Sequence, residues 1–216
     1  MRKYTYLANI DYVTDARTTI VQNKQLTGYF QTEFQNSDQT SAEYTHSYEL
    51  IPRPFTIATG VVVPVGGYES DNARVTYSLG QQRPISGRLL LGRGTLYDGT
   101  RTEASYSGRV AIRPQIAVEP SLSLNWVDLP WGTFSAQLLT SRFIVTPSPR
   151  MILSGLVQYN ISGHSLTSSA RMRWEYRPGS ELFLVYSDGR NLLENQIPTG
   201  LLNRSLAVNI TRLLRY

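Results

Sequence analysis

Nucleophilic catalysis needs a base within hydrogen-bond reach of the attacking group. This chain has only two histidines, His46 and His164, to supply one. His164 is followed directly by Ser165, and His46 lies between Thr45 and Ser47. In extended backbone, adjacent side chains leave on opposite faces, so none of these pairs can meet within its own strand. There is no cysteine, which removes both a disulfide framework and a thiolate metal site, and two histidines are too few for a His-rich one. The sequence therefore points to no catalytic residue, no metal and no cofactor. The charges are better organised. Arg74, Arg88, Arg109, Arg113, Arg171 and Arg173 take the polar positions of alternating segments, as do Glu103, Glu119 and Glu175. Gathered on one face of a sheet, they can create a field that favours anions. They can equally form a structural ladder in which Arg and Glu satisfy each other.

The elements that must position these charges are strands. The clearest is LTSSARMRWEY, Leu166 to Tyr176. Leu166, Ala170, Met172, Trp174 and Tyr176 point one way, with Ser168 the polar exception; Thr167, Ser169, Arg171, Arg173 and Glu175 point the other. A period of two is a strand. An apolar face ending in an aromatic pair, opposite a polar face, is the form expected of a transmembrane β-barrel. Around residues 101–113, Ala104, Tyr106, Gly108, Val110 and Ile112 oppose Glu103, Ser105, Ser107, Arg109 and Arg113. Around 116–128, Ile116, Val118, Leu122, Leu124 and Trp126 oppose Glu119, Ser121, Ser123 and Asn125. The pattern predicts an all-β, antiparallel barrel of about twelve strands, or the C-terminal portion of a larger one. These strands lie near residues 3–13, 19–35, 39–50, 70–81, 84–95, 101–113, 116–128, 132–146, 150–160, 165–177, 180–188 and 203–215.

Composition agrees. The charged fraction is 17%, against roughly 25% in ordinary soluble proteins. Mean hydropathy is −0.25, an average that hides two opposed faces in a barrel. No apolar run approaches the roughly 20 residues of a membrane helix. The net charge of +5 raises nucleic acid as a partner, but the arginines are dispersed along strands without a basic cluster, so none is expected. The first residues, MRKYTYLANIDYV, lack the apolar core and cleavage site of a signal peptide. They read as a strand already in progress, and the 216 residues as a single barrel domain, with any upstream module absent.

The connections alternate between tight (QNSD, QQRP, RPQ, TPSPR, RPGS) and longer (residues 51–69, GTLYDGT, DLPWGT, NISGHS, residues 189–202). Outer-membrane barrels have short periplasmic turns and longer outer loops, which assigns a side to each strand end. Residues 51–69 are apolar enough to fold back over or into the barrel. Asp98, Asp128 and Asp188 sit beside Gly or Pro in the outer loops, where turn chemistry accounts for them. Aromatic girdles are expected at Trp174, Tyr176 and Tyr216 on the periplasmic side, and at Tyr97, Trp126, Trp131, Tyr159 and Tyr186 on the outer side. In the terminal stretch, Leu206, Val208, Ile210 and Leu214 alternate back from an aromatic last residue, with Arg212 the departure. It looks like the signal read by the bacterial barrel assembly machinery.

Several stretches carry a more particular likeness: PFTIATGVVVPVGGY, LYDGTRTEASYSGRVAIRPQIAVEPSLSLNWVDLPWGTF, LVQYN and RWEYRPGSELFLVYSDGR. From about Tyr48 onward the chain resembles a bacterial family. Its members join an N-terminal half similar to family-nine carbohydrate-binding modules to a C-terminal outer-membrane barrel of uncharacterised function. Arg173 to Arg190 is the most specific part of the match. The resemblance implies that the carbohydrate module is absent here, and it brings no catalytic residues.

The expected location is thus the bacterial outer membrane. The expected partners are membrane lipid and lipopolysaccharide, the assembly machinery through the C-terminal strand, and carbohydrate. The expected function is a membrane anchor or a passage domain for small solutes. Two alternatives stand beside it. One is an outer-membrane hydrolase with its site in the outer loops. Outer-membrane phospholipases set His and Ser two apart on a strand's outer face, which neither His46 nor His164 does. The other is a translocator pore for a passenger domain.

Overall fold

Val, Ile, Leu and Tyr alternating with Ser, Thr, Gln and Arg suit an extended backbone whose two faces meet different surroundings. The computed structural model describes residues 2–192 and 200–213. They form β1 (Lys3–Thr14), β2 (Val21–Glu33), β3 (Gln39–Ile51), β4 (Phe55–Ala58), β5 (Val61–Val63), β6 (Gly66–Ser78) and β7 (Ile85–Leu96). There follow β8 (Gly99–Arg113), β9 (Ile116–Leu129), β10 (Gly132–Ser148), β11 (Met151–Asn160), β12 (Ser165–Arg177), β13 (Ser180–Asn191) and β14 (Leu201–Thr211). No helix occurs among the described residues. A 12-stranded sheet takes its strands in chain order, β1-β2-β3-β6 and on to β14, while β4 and β5 pair separately. The expected all-β, antiparallel architecture is what the chain adopts, each strand hydrogen-bonding to the next in this order with β1 and β14 at the two ends.

By compactness the chain divides into two units. Unit 1 comprises Met1–Tyr106 and Ser123–Ala136; unit 2 comprises Ser107–Leu122 and Gln137–Tyr216.

Apolar side chains are outside in both. In unit 1, Tyr6 and Ile10 are 76% and 72% exposed; in unit 2, Leu206 and Ile210 are 69% and 67% exposed. Register carries the pattern from strand to strand. In unit 2 the row Phe143, Gly155, Ala170, Tyr186, Leu206 runs across β10 to β14 on the apolar face. Because the side-chain period is two, a one-residue slip would send all of these to the charged face.

One expectation about local structure changes. The sequence predicts a long loop over residues 51–69, yet they contain the β4–β5 hairpin and the start of β6. The reason lies in VVV: Val61 and Val63 are 4% and 0% exposed, while Val62 between them is 45% exposed. This two-faced triplet follows Gly60, whose φ of 77° is the left-handed conformation that glycine adopts without a Cβ penalty.

The tight turn between β2 and β3 is tied to the one between β6 and β7 through Asp38, which is only 2% exposed. Its carboxylate accepts from the backbone N–H of Gly80 at 2.8 Å, the Tyr77 hydroxyl at 2.8 Å, Asn36 at 2.9 Å and Arg83 at 3.1 Å. These donors, the Gly80 N–H foremost, hold the Asp38 carboxyl below its ordinary range. A depressed folded-state pKa stabilises the fold above the unfolded value and loses that contribution as pH falls. Asp38→Asn is therefore expected to lower the urea midpoint at neutral pH. The gap from the parent protein should close as pH drops below the ordinary carboxyl value of 3.8. A gap independent of pH would show that the charge of Asp38 contributes nothing.

Candidate functional site

The charged face of unit 1 is built by register. Glu43 on β3 stands opposite Arg74 on β6, and Arg74 stands opposite Gly92 on β7. Arg74 Nη1 lies 3.3 Å from Glu43 Oε1, while its Nε donates to Glu103 on β8. Reaching β8 means passing over β7, and Gly92 opens the way, because a Cβ there would meet the Glu103 side chain. Arg101 completes the row, 3.9 Å from Glu103 and donating to Asn72 at 3.4 Å. The result is a line of alternating sign, Glu43–Arg74–Glu103–Arg101, in which each group is partly shielded from water. Desolvated charges of this kind persist only when paired.

Towards the longer-loop end the same face turns apolar. Ile51, Val61, Val63, Tyr68, Val127 and Leu129 form the buried core of unit 1, with Phe55, Tyr97, Trp131 and Phe134 packed on it. Tyr68 meets Tyr97 edge-on at 5.2 Å and Trp131 at 6.0 Å. Phe55, on the hairpin, meets Tyr97 at 5.8 Å. Gly132 lies against Val61, so a side chain there would press on the hairpin. The β4–β5 hairpin is thereby fastened to the mouth of the charged face. Burial, then the hydrogen bond to Glu49, pushes the Tyr97 phenol up to about 12.

In unit 2, Arg109 pairs with Glu119 at 3.0 Å, and Arg142 approaches the same carboxylate at 3.9 Å. Glu175 and Glu181 stand directly opposite each other on β12 and β13, an arrangement that is repulsive unless offset. Arg173 supplies the offset by forking onto Glu181, and the Gly179 N–H donates to Glu175 at 3.0 Å. Arg171 makes no ion pair with a described residue; it stands opposite Ser154 and Val185. Arg113 likewise has no described ionic partner. Among the described residues of unit 2, five arginines (Arg109, Arg113, Arg142, Arg171, Arg173) thus share the face with three glutamates (Glu119, Glu175, Glu181). Ile152 and Phe183 flank Arg173 there, and apolar neighbours strengthen a charge's field. On β3, β6, β7 and β8 of unit 1, Arg74, Arg88 and Arg101 are equalled in number by Glu43, Glu49 and Glu103, with no such excess.

Glu43, Arg101, Arg142 and Glu181 join the network although the sequence reading did not single them out. Alternation would have found Glu43, at the polar position of EYTHSYE, and Arg101, two residues before Glu103, but the less regular tenth and thirteenth strands obscured Arg142 and Glu181. Of the girdle residues, Trp126 and Trp174 are exposed on the apolar face at 42% and 43%. Trp174 packs beside Tyr176 at 6.2 Å. Tyr159 and Tyr186 share that face. Tyr97 and Trp131 instead turn in to the mouth cluster, because the hairpin offers them an apolar partner. Tyr216 lies outside the described residues.

His46 lies on the apolar face, its Nδ1 2.9 Å from Asp71, which also accepts from Tyr44 at 2.6 Å. Its cross-strand neighbours are Leu26 and Asp71, so no hydroxyl nucleophile stands opposite it. His164 sits in a turn at a φ of 46°. No group of three His, Cys, Asp or Glu among the described residues could hold a metal ion.

No family model matches the chain, and no curated protein matches it. Among solved structures, the chain is similar to the NanC porin in a rhombohedral crystal form at 9% identity and a TM-score of 0.38, covering 89% of this chain and 94% of that one. It is also similar to the KdgM porin at 9% identity and a TM-score of 0.34, covering 77% of this chain and 85% of that one. The KdgM porin in complex with disordered oligogalacturonate gives 10% identity at the same score and coverage. At this level the likeness bears on neither ligand nor activity.

The mouth cluster yields a direct test. Val63→Asp places a charge at a fully buried position, which the hairpin cannot retain without an ionic partner. Limited proteolysis is expected to cut within residues 52–65 of the variant and not of the parent, with the strand content by circular dichroism unchanged. Equal resistance would show that the hairpin does not depend on this packing.

Proposed function

We propose that the chain is a bacterial outer-membrane β-barrel whose charged face lines a passage for small anionic solutes. The β4–β5 hairpin narrows the outer mouth of that passage. The observation that carries the reading is the inverted partition. Tyr, Leu, Ile and Val side chains are exposed on one face of strand after strand, while Arg and Glu are paired on the other. In water such a continuous apolar face is an aggregation hazard. Against lipid it is the required surface, and antiparallel strands joined in chain order are the form in which a sheet can cross a bilayer.

The arginine excess in unit 2 supports passage of anions over a purely structural ladder, since a self-satisfying ladder needs no surplus. In unit 1 the balanced line Glu43–Arg74–Glu103–Arg101 fits the structural role. Carbohydrate-related solutes are the first to try, a choice resting only on the family resemblance carried by Arg173 to Arg190. Lipid on the apolar face, and recognition of β14 by the assembly machinery, belong to the same proposal. No arrangement around His46, His164 or Ser165 favours a hydrolase.

Closed barrels resist SDS until heated. The chain refolded in detergent is expected to migrate faster on a gel unboiled than boiled; identical migration would overturn the barrel. In planar bilayers under a salt gradient, the refolded chain should prefer anions. Replacing Arg171 and Arg173 by Ser should lower that preference about threefold, the effect of removing nearby unit charges from a partly screened passage. An unchanged reversal potential would refute the anionic passage while leaving the barrel standing.

A further inference from the structure

Two features on the apolar face of unit 2 adjoin, and neither serves the charged face. The first is a groove. In the row Phe143, Gly155, Ala170, Tyr186, Leu206, the two small residues in the middle stand between two rings. With Met172 and Leu184 alongside, they bound an open, almost wholly apolar trough of about 420 Å³. Its floor is not filled from elsewhere: a Cβ on Gly155 would make only an ordinary contact with Phe143, at 3.9 Å.

The second feature is a pair of guanidiniums around one carboxylate. Asp188 is 5% exposed. Arg190 Nε donates to its Oδ1 at 2.8 Å, and Arg204 donates to its Oδ2 through Nε at 3.0 Å and Nη2 at 2.9 Å. The Arg side chains remain 45% and 51% exposed, so the cluster presents one surplus positive charge outward. Tyr186 joins the two features, because its ring bounds the trough and its hydroxyl donates to Asp188 at 3.2 Å. Asp188 follows Tyr186 by one step of the same face of β13, a displacement of roughly 7 Å.

We infer that this is a binding site for a membrane lipid with a phosphate headgroup. An acyl chain lies in the Gly155–Ala170 trough, and the phosphate is held by Arg190 and Arg204. Charge complementarity selects the headgroup, since guanidinium forks match phosphate oxygens. The trough selects the lipid over a free ion, because a soluble anion gains nothing from carbon. Asp188 keeps the two guanidiniums side by side and prevents their mutual repulsion. The inference rests on the proposal that the apolar face meets lipid.

The test takes the heat-sensitive folded form in an uncharged maltoside detergent. It titrates that form with dioctanoyl phosphatidic acid, dioctanoylglycerol and inorganic phosphate, read by native mass spectrometry. Phosphatidic acid is expected to bind about tenfold more tightly than dioctanoylglycerol, the worth of a charge-assisted hydrogen bond. Arg190→Gln should remove that difference. Gly155→Leu, or Ala170→Leu if the first does not fold, should weaken both lipids by filling the trough. Equal binding of the two lipids, full competition by inorganic phosphate, or an Arg190→Gln variant that binds like the parent would overturn the site. Loss of the heat-dependent gel shift would strike the barrel itself, whereas a folded form that takes up no phospholipid strikes only this inference.

Discussion

The constraint on which everything else depends is that a sheet exposing apolar side chains on one side must put most of its charges on the other. Tyrosines, leucines, isoleucines and valines are accordingly exposed on one face and most ionic side chains gather on the other, with the His46–Asp71 pair and the Asp188–Arg190–Arg204 cluster the departures. Alternation with a period of two is the only way a single strand can do both. That requirement reaches every level here. It fixes the register, since a one-residue slip would send Arg171 to the apolar face and Ala170 to the charged one. It accounts for the exposed tyrosines and leucines that would be anomalous in a water-soluble sandwich.

Confining charges brings a second requirement, that they satisfy each other. Unit 1 meets it by reach, with Arg74 extending from β6 across Gly92 to Glu103. The glycine weakens its strand locally, and in exchange the two ends of the ion pair meet. Unit 2 meets the requirement incompletely among the described residues, and the unmatched arginines are those on which the proposed anion passage rests. A surplus charge on a partly apolar face is costly to maintain, so its presence is more informative than the balanced ladder beside it.

The mouth cluster inverts the pattern again. Ile51, Tyr68, Val127 and Leu129 lie on the charged face yet belong to a buried apolar cluster of unit 1. They do so because the connection between β3 and β6 returns as a hairpin and supplies Val61 and Val63 as partners. A face that is polar along most of its length and apolar at its end is thus made of one strand set meeting two different neighbours.

Strand order, turn lengths and the identity of the two faces were legible in the sequence, because they depend on local alternation and on turn residues such as those of RPGS. Residues 165–177 came out as β12 with the boundaries that alternation indicates. The hairpin at residues 55–63 did not, since three valines after Gly60 are too short a run to declare a period. The mates of the charges were also hidden. Arg173 and Glu175 share a face by sequence, but that Arg173 forks onto Glu181, and that Arg74 meets Glu103 two strands away, depends on cross-strand register and on the space left at Gly92. Tyr97 and Trp131 lie at strand ends in sequence terms, and only the packed hairpin turns them inward. The sequence by itself determined which side of each strand a residue occupies, because that follows from the backbone's period. Only the tertiary structure decided which residue it meets there, because that depends on how neighbouring strands are aligned and which side chains are missing between them.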